Sequence, residues 1–193
     1  MAASAEAGAR LEDIDISSYG FPQDHFAVLM PVSVMPREAV YSVYLEAQKR
    51  AVQAGIAYLR HVAPQRLVVR QLRPADVGLA GPSWSFEVAA GATRHSFAVP
   101  RDRALTFFGV YNQSERPKVY ELEVLVNGRR RLLLNLQELY TRGYDPIGVL
   151  PVVEVFRPGD EVALVMWSVG QGREELALLG YVAEPEGATV YRS

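Results

Sequence analysis

The spacing of apolar side chains changes period once along the chain. Between Arg37 and Val62 they recur at helical intervals. Val40, Tyr44, Ala47, Ala51, Ala54 and Tyr58 form one stripe, and Tyr41, Leu45, Val52, Ile56 and Leu59 widen it. Glu46, Lys49, Arg50, Gln53 and Arg60 occupy the other faces. Pro36 precedes the first turn, and Pro64 stops the run because it cannot continue a helical hydrogen-bond ladder. Gly55 costs roughly 1 kcal/mol against alanine there, so it marks either a weak point or a close approach. The pattern predicts one long helix, residues 36–63, packed on the domain that follows.

From Arg66 onward the period becomes two. Runs at 66–72, 84–88, 94–99, 104–111, 118–126, 129–135, 149–155, 161–167 and 175–182 read as short strands divided by Gly, Pro and Asp turns. The clearest unit is the hairpin around Asn127–Gly128, two residues that tolerate the positive φ of a type I′ turn. Arg157-Pro-Gly-Asp160 is a β-turn signal. Glu161–Trp167, apolar on both faces after its first residue, is expected to be the most buried strand. Pro31 and Pro151 place their runs, Phe26–Met35 and Val149–Val155, at sheet edges. Short strands at regular spacing predict an antiparallel sandwich or barrel, not βαβ units. Residues 1–35 read as an arm and edge segment, and residues 64–193 as the β-domain. Within the arm, Leu11–Ile16 alternates apolar and acidic side chains, which suits an edge strand or a segment that pairs only with a neighbour.

Composition narrows the chemistry. A chain of 193 residues holds one full core. The absence of cysteine excludes disulfides, zinc–thiolate sites and thiol catalysis, and leaves the compartment open. A formal net charge of −2 argues against bulk nucleic-acid binding. The charge is nonetheless segregated: acidic residues dominate 1–35 and 154–193, and basic residues dominate 36–73. Such blocks suit pairing within a chain or between subunits. No run of eighteen or more apolar residues suggests a membrane span, and the first nine residues lack the features of a secretory signal.

Catalytic motifs do not emerge. His25, His61 and His95 share no ligand spacing, so no metal or other cofactor is expected. Asp13 and Asp15 would share a strand face, as would Glu121 and Glu123. Paired carboxylates are the minimum for glycoside hydrolysis, but Glu121 and Glu123 also fit the polar face of a half-buried strand, neutralised by Arg129 and Arg131 across the hairpin. Ser168 lacks a nucleophile elbow, and Gly170-Gln-Gly172 precedes a strand where a phosphate loop needs a helix. The expectation is that the protein is not an enzyme. Arg129, Arg130 and Arg131 are the candidates for nucleic-acid contact. Ile14, Ile16, Tyr41, Tyr44, Glu121, Glu123, Arg129, Arg131 and Tyr191 are the candidates for an interface, where tyrosine and arginine are favoured.

Phe97-Ala-Val-Pro100, Leu105-Thr-Phe-Phe108, Tyr120-Glu-Leu-Glu-Val124, Arg157-Pro-Gly-Asp-Glu-Val-Ala-Leu-Val-Met-Trp167 and Leu178-Leu-Gly-Tyr-Val182 resemble the strands of a viral single jelly roll. The likeness, over residues 94–183, is to single jelly-roll capsid proteins of tailless icosahedral phages from thermal environments. It implies a mainly β fold, an antiparallel sandwich of jelly-roll type to which the long N-terminal helix is an addition. It implies a structural role in a virion, with many copies contacting one another and other structural proteins through loops and terminal arms. It carries over no catalytic residue. Lectins and cupins share this architecture. A carbohydrate-binding module would use Trp84, Tyr111 or Trp167 as its platform. A cupin-style enzyme is disfavoured by the scattered histidines. An assembly protein touching nucleic acid would use Arg129–Arg131.

Overall fold

The computed structural model describes residues 29–59, 66–142 and 146–188. The arm at 11–16, with Ile14 and Ile16, lies outside these residues, as do His25, His61 and Tyr191. The long helix α1 spans Arg37–Leu59 and is followed, from residue 66, by nine strands. These are β2 (Leu67–Gln71), β3 (Ser85–Val88), β4 (Gly91–Ala98), β5 (Ala104–Asn112), β6 (Val119–Val126), β7 (Arg129–Asn135), β8 (Ile147–Phe156), β9 (Glu161–Ser168) and β10 (Gly172–Pro185). A two-residue strand β1 (Met30–Pro31) precedes α1, and a short helix α2 (Gln137–Arg142) follows β7. The fold is mainly β, with two antiparallel sheets and one long helix.

One sheet has the order β1-β8-β5-β10-β2, with β3 also pairing β10. The other has the order β4-β9-β6-β7. The period-two pattern explains how they meet. Leu105, Phe107, Leu176, Leu178 and Val182 from the first sheet face Leu122, Val124, Leu134, Leu164 and Met166 from the second in one buried cluster. Pro31 falls at the sheet edge, as a proline must. Pro151 lies in β8, which pairs β5 on one side, while β1 covers only Gly148 and Val149 on the other.

The most buried strand is β5, where every residue except Tyr111 is buried, and not Glu161–Trp167. The cause is α1, which packs on the outer face of the first sheet against β5, β10, β8 and β2. Ala54 and Leu59 meet Ala104 and Ala183, while Ala47 meets Phe108 and Val149. Small side chains let the helix approach closely. A side chain at Gly55 would collide with the Ala183 Cβ, 2.9 Å from the position of the missing Cβ. Strand β9 has no such cover, so Val165 and Trp167 stay partly exposed.

The helix buries a narrower stripe than its sequence predicts. Ala47, Ala51, Ala54, Gly55 and Leu59 are buried, and Tyr44 sets its ring edge-on to Phe108 at 4.9 Å. Tyr41, Leu45, Val52 and Ile56, expected to widen the packed face, are exposed instead. A single sheet face contacts only one side of a helix, and these four lie beyond its reach.

Candidate functional site

The hairpin takes the expected turn, with Asn127 at φ 52° and Gly128 at φ 76°. Asn127 also reaches across to the turn before β9: its amide donates to Asp160 at 2.9 Å and its carbonyl oxygen accepts from the Glu161 N–H at 2.9 Å. Asp160 in turn accepts from the Arg157 N–H at 2.7 Å. Two predicted turns are thereby bolted together.

The hairpin's charged face differs from the expected pairing. A bulge between Val124 and Leu125 shifts the register, so Arg130, and not Arg129 or Arg131, meets Glu123. Arg130 donates to both Glu123 carboxylate oxygens, at 2.9 and 3.3 Å, and the Trp167 indole N–H lies 3.3 Å from the same carboxylate. Glu123 is only 9% exposed. Arg131 leaves the hairpin and pairs with Glu154 of β8 at 3.1 Å, joining the two sheets along one side. Glu121 sits in register with Trp167 and Asn135 and stays half-buried. Arg129 is exposed at the turn. Of the arginine triplet, two members are therefore engaged within the chain. Among the proposed stacking residues, Trp84 packs against the inter-sheet core and Tyr111 is half-buried.

Two buried polar clusters escaped the sequence reading. In the first, Arg70 of β2 forks onto Asp76 with two hydrogen bonds of 2.7 Å. Its Nε donates to Glu184 of β10 at 2.8 Å. Arg103 adds a 3.1 Å bond to Asp76, and its Nε lies 3.2 Å from Glu184 without hydrogen-bond alignment. Asp76 also accepts from the Arg73 N–H at 2.8 Å. Hydrogen bonding to Asp76 comes first among the causes that hold the Arg70 guanidinium above its ordinary value, against the opposing effect of burial. Two arginines and two carboxylates neutralise one another in this cluster.

In the second cluster, Glu174 of β10 is completely buried. It accepts from the Asn112 amide at 2.6 Å and from the Lys118 N–H at 3.1 Å. Asn112 also donates to the Tyr140 hydroxyl at 2.7 Å, and that hydroxyl donates onward to the Val119 carbonyl at 2.7 Å. Burial is the main cause that pushes the Tyr140 phenol far above its ordinary value; the Asn112 bond opposes it and the Glu174 charge adds to it. Burial likewise raises Tyr44, with help from Tyr181, and raises Tyr181 itself.

These shifts have one sign. A phenol whose folded pKa exceeds its unfolded value near 10 stabilises the fold fully below about pH 10, and that stability is lost as the pH rises towards the folded value. Wild-type melting temperature is therefore expected to fall steeply above about pH 10, and that of Tyr140→Phe less steeply. Thermal melts from pH 7 to 11 test this; parallel slopes would show that Tyr140 does not ionise with unfolding.

His95 gives its Nε2 to the Val77 carbonyl at 2.6 Å and lies edge-on to Phe86, as a packing residue does. Among the described residues no group of three or more His, Cys, Asp or Glu side chains is placed to hold a metal ion. Among them, too, no helix is long and apolar enough to cross a membrane.

No protein-family model matches the chain, and no curated protein matches it. Among solved structures the chain is similar to dimeric latent PorU from Porphyromonas gingivalis, at 14% identity over 61% of this chain with a TM-score of 0.28. The chain spans 12% of the length of that protein, and a likeness at this score carries no argument about fold or function.

Proposed function

We propose that the protein is a jelly-roll structural subunit that self-assembles into a larger particle of the capsid kind. One observation carries this reading. The charged side chains that would serve catalysis or phosphate binding are mostly engaged inside the chain, in Arg70–Asp76, Arg130–Glu123 and Arg131–Glu154, while large apolar side chains face solvent on α1. Unpartnered apolar surface drives protein–protein contact, and a row of it on one element marks an interaction site.

The strand order supports the jelly-roll part of the reading. One sheet contains β2-β10-β5-β8 and the other is β4-β9-β6-β7. Successive strands from β4 to β10 cross between the sheets or return through a hairpin, in the nested pattern of two Greek keys. Jelly rolls also serve as lectins and cupins, so the step from architecture to assembly is an analogy, and the exposed apolar row is its physical support.

Light scattering and electron microscopy over a range of protein concentration test the proposal. Concentration-dependent growth to large, regular species is the expected result. A strict monomer at millimolar concentration overturns it.

A further inference from the structure

The exposed apolar row on α1 has an internal symmetry that points to one occupant. Tyr41, Leu45, Val52 and Ile56 are 66%, 47%, 42% and 54% exposed. Their spacing is four, seven and four residues, so it reads the same in both directions. The row covers about 22 Å of helix, at 1.5 Å per residue. We infer that α1 packs antiparallel against α1 of a second copy, about a two-fold axis passing beside Gln48 and Lys49. The inference deepens the self-assembly reading above and rests on it for its partner.

The geometry follows from the spacing. An antiparallel copy centred between residues 48 and 49 sets Tyr41 against the partner's Ile56 and Leu45 against the partner's Val52, with the same pairs repeated on the other side of the axis. A two-fold interface requires this self-complementarity, in which residue i meets j and j meets i. A row matched to an unrelated surface has no need of such symmetry.

The polar residues near the axis fit the same arrangement. Gln48 lies within the row and meets its own twin, where two amides can exchange hydrogen bonds. A single polar side chain in an apolar helix seam fixes register. On the flank of the row Glu46 is paired within its own helix, to Arg50 at 2.8 Å and to Lys49 at 3.8 Å.

The absence of cysteine makes the test direct, because one introduced thiol can pair only with its twin. Under mild oxidation Gln48→Cys is expected to form a cross-linked dimer nearly completely. Gln53→Cys, on the same helix, is the control: its two copies would stand about 13 Å apart along the axis, beyond disulfide reach. It is expected to stay uncrosslinked. Val52→Lys, added to Gln48→Cys, is expected to abolish the cross-link while leaving the circular dichroism spectrum unchanged. Equal cross-linking at 48 and 53 overturns the inference. So does failure at 48 in protein that still forms particles, a result that leaves the assembly reading standing. Cross-linking at 48 without larger species supports the helix pair and overturns the particle reading.

Discussion

Replacing Arg70 by alanine is expected to lower folding stability by about 3–5 kcal/mol, the usual cost of breaking a buried ion pair from one side. The guanidinium contacts both buried carboxylates with well-aligned hydrogen bonds, two of 2.7 Å to Asp76 and two, of 2.8 and 3.1 Å, to Glu184. Without it, two carboxylates remain in a site from which water is largely excluded, and the more exposed Arg103 must serve both. The loss is amplified by position. Asp76 sits in the turn after β2, Glu184 near the end of β10, and Arg103 just before β5, so the cluster ties three chain segments together beside the edge of one sheet. Urea denaturation followed by tryptophan fluorescence would show a lower midpoint with an unchanged slope. Arg103→Ala is expected to cost less, because its side chain is partly exposed. A joint replacement of Arg70, Asp76, Arg103 and Glu184 by apolar residues of similar volume is expected to recover most of the loss, since the ions stabilise one another more than they stabilise the fold. A cost below about 1 kcal/mol for Arg70→Ala would show that water enters the site and screens the carboxylates.

Much of this architecture can be read from periodicity. The switch from helical to alternating spacing near Pro64 separates α1 from the strands, and the Asn127–Gly128 turn fixes one hairpin without any tertiary information. Pairings across the hairpin were less legible. The bulge at Val124 and Leu125 moves Arg130 onto the face expected for its neighbours, and bulges depend on twist and packing that a single strand does not encode. The burial of β5 was hidden for a similar reason: it depends on where α1 lands. The interface candidates divide in the same way. Tyr41 and Tyr44 are both tyrosines on one helix, yet three residues of rotation turn Tyr44 onto Phe108 and leave Tyr41 in solvent. The arginines of the first polar cluster were visible as charge but not as partners, because Asp76 and Glu184 are far apart in sequence. Glu174, by contrast, left a readable signal. It has the same parity along β10 as Leu176 and Leu178, which face the core, so its strand places it inside.

That parity makes Glu174 the second site of large effect. Glu174→Ala is expected to destabilise the protein by about 3 kcal/mol, because it removes the acceptor of charge-assisted hydrogen bonds and leaves buried donors unpaired. The Asn112 amide would keep only its bond to Tyr140, and the Lys118 N–H would lose its partner. The effect is expected to be local as well as global. Asn112 closes β5 and accepts from the Ser114 N–H at 2.9 Å, and Lys118 leads into β6, so Glu174 fastens both ends of the loop between these strands. Hydrogen exchange at residues 113–118 should therefore accelerate more than exchange in the centre of β9. Glu174→Gln separates charge from shape. One amide oxygen can still accept from Asn112 and, at the longer 3.3 Å, from the Lys118 N–H, but its NH2 group replaces the acceptor 3.1 Å from that N–H, so an intermediate loss of about 1–2 kcal/mol is expected. A double-mutant cycle with Asn112→Ala gives the coupling directly. If the two losses simply add, the 2.6 Å contact contributes nothing of its own, and the cost at Glu174 lies in its bond from the Lys118 N–H.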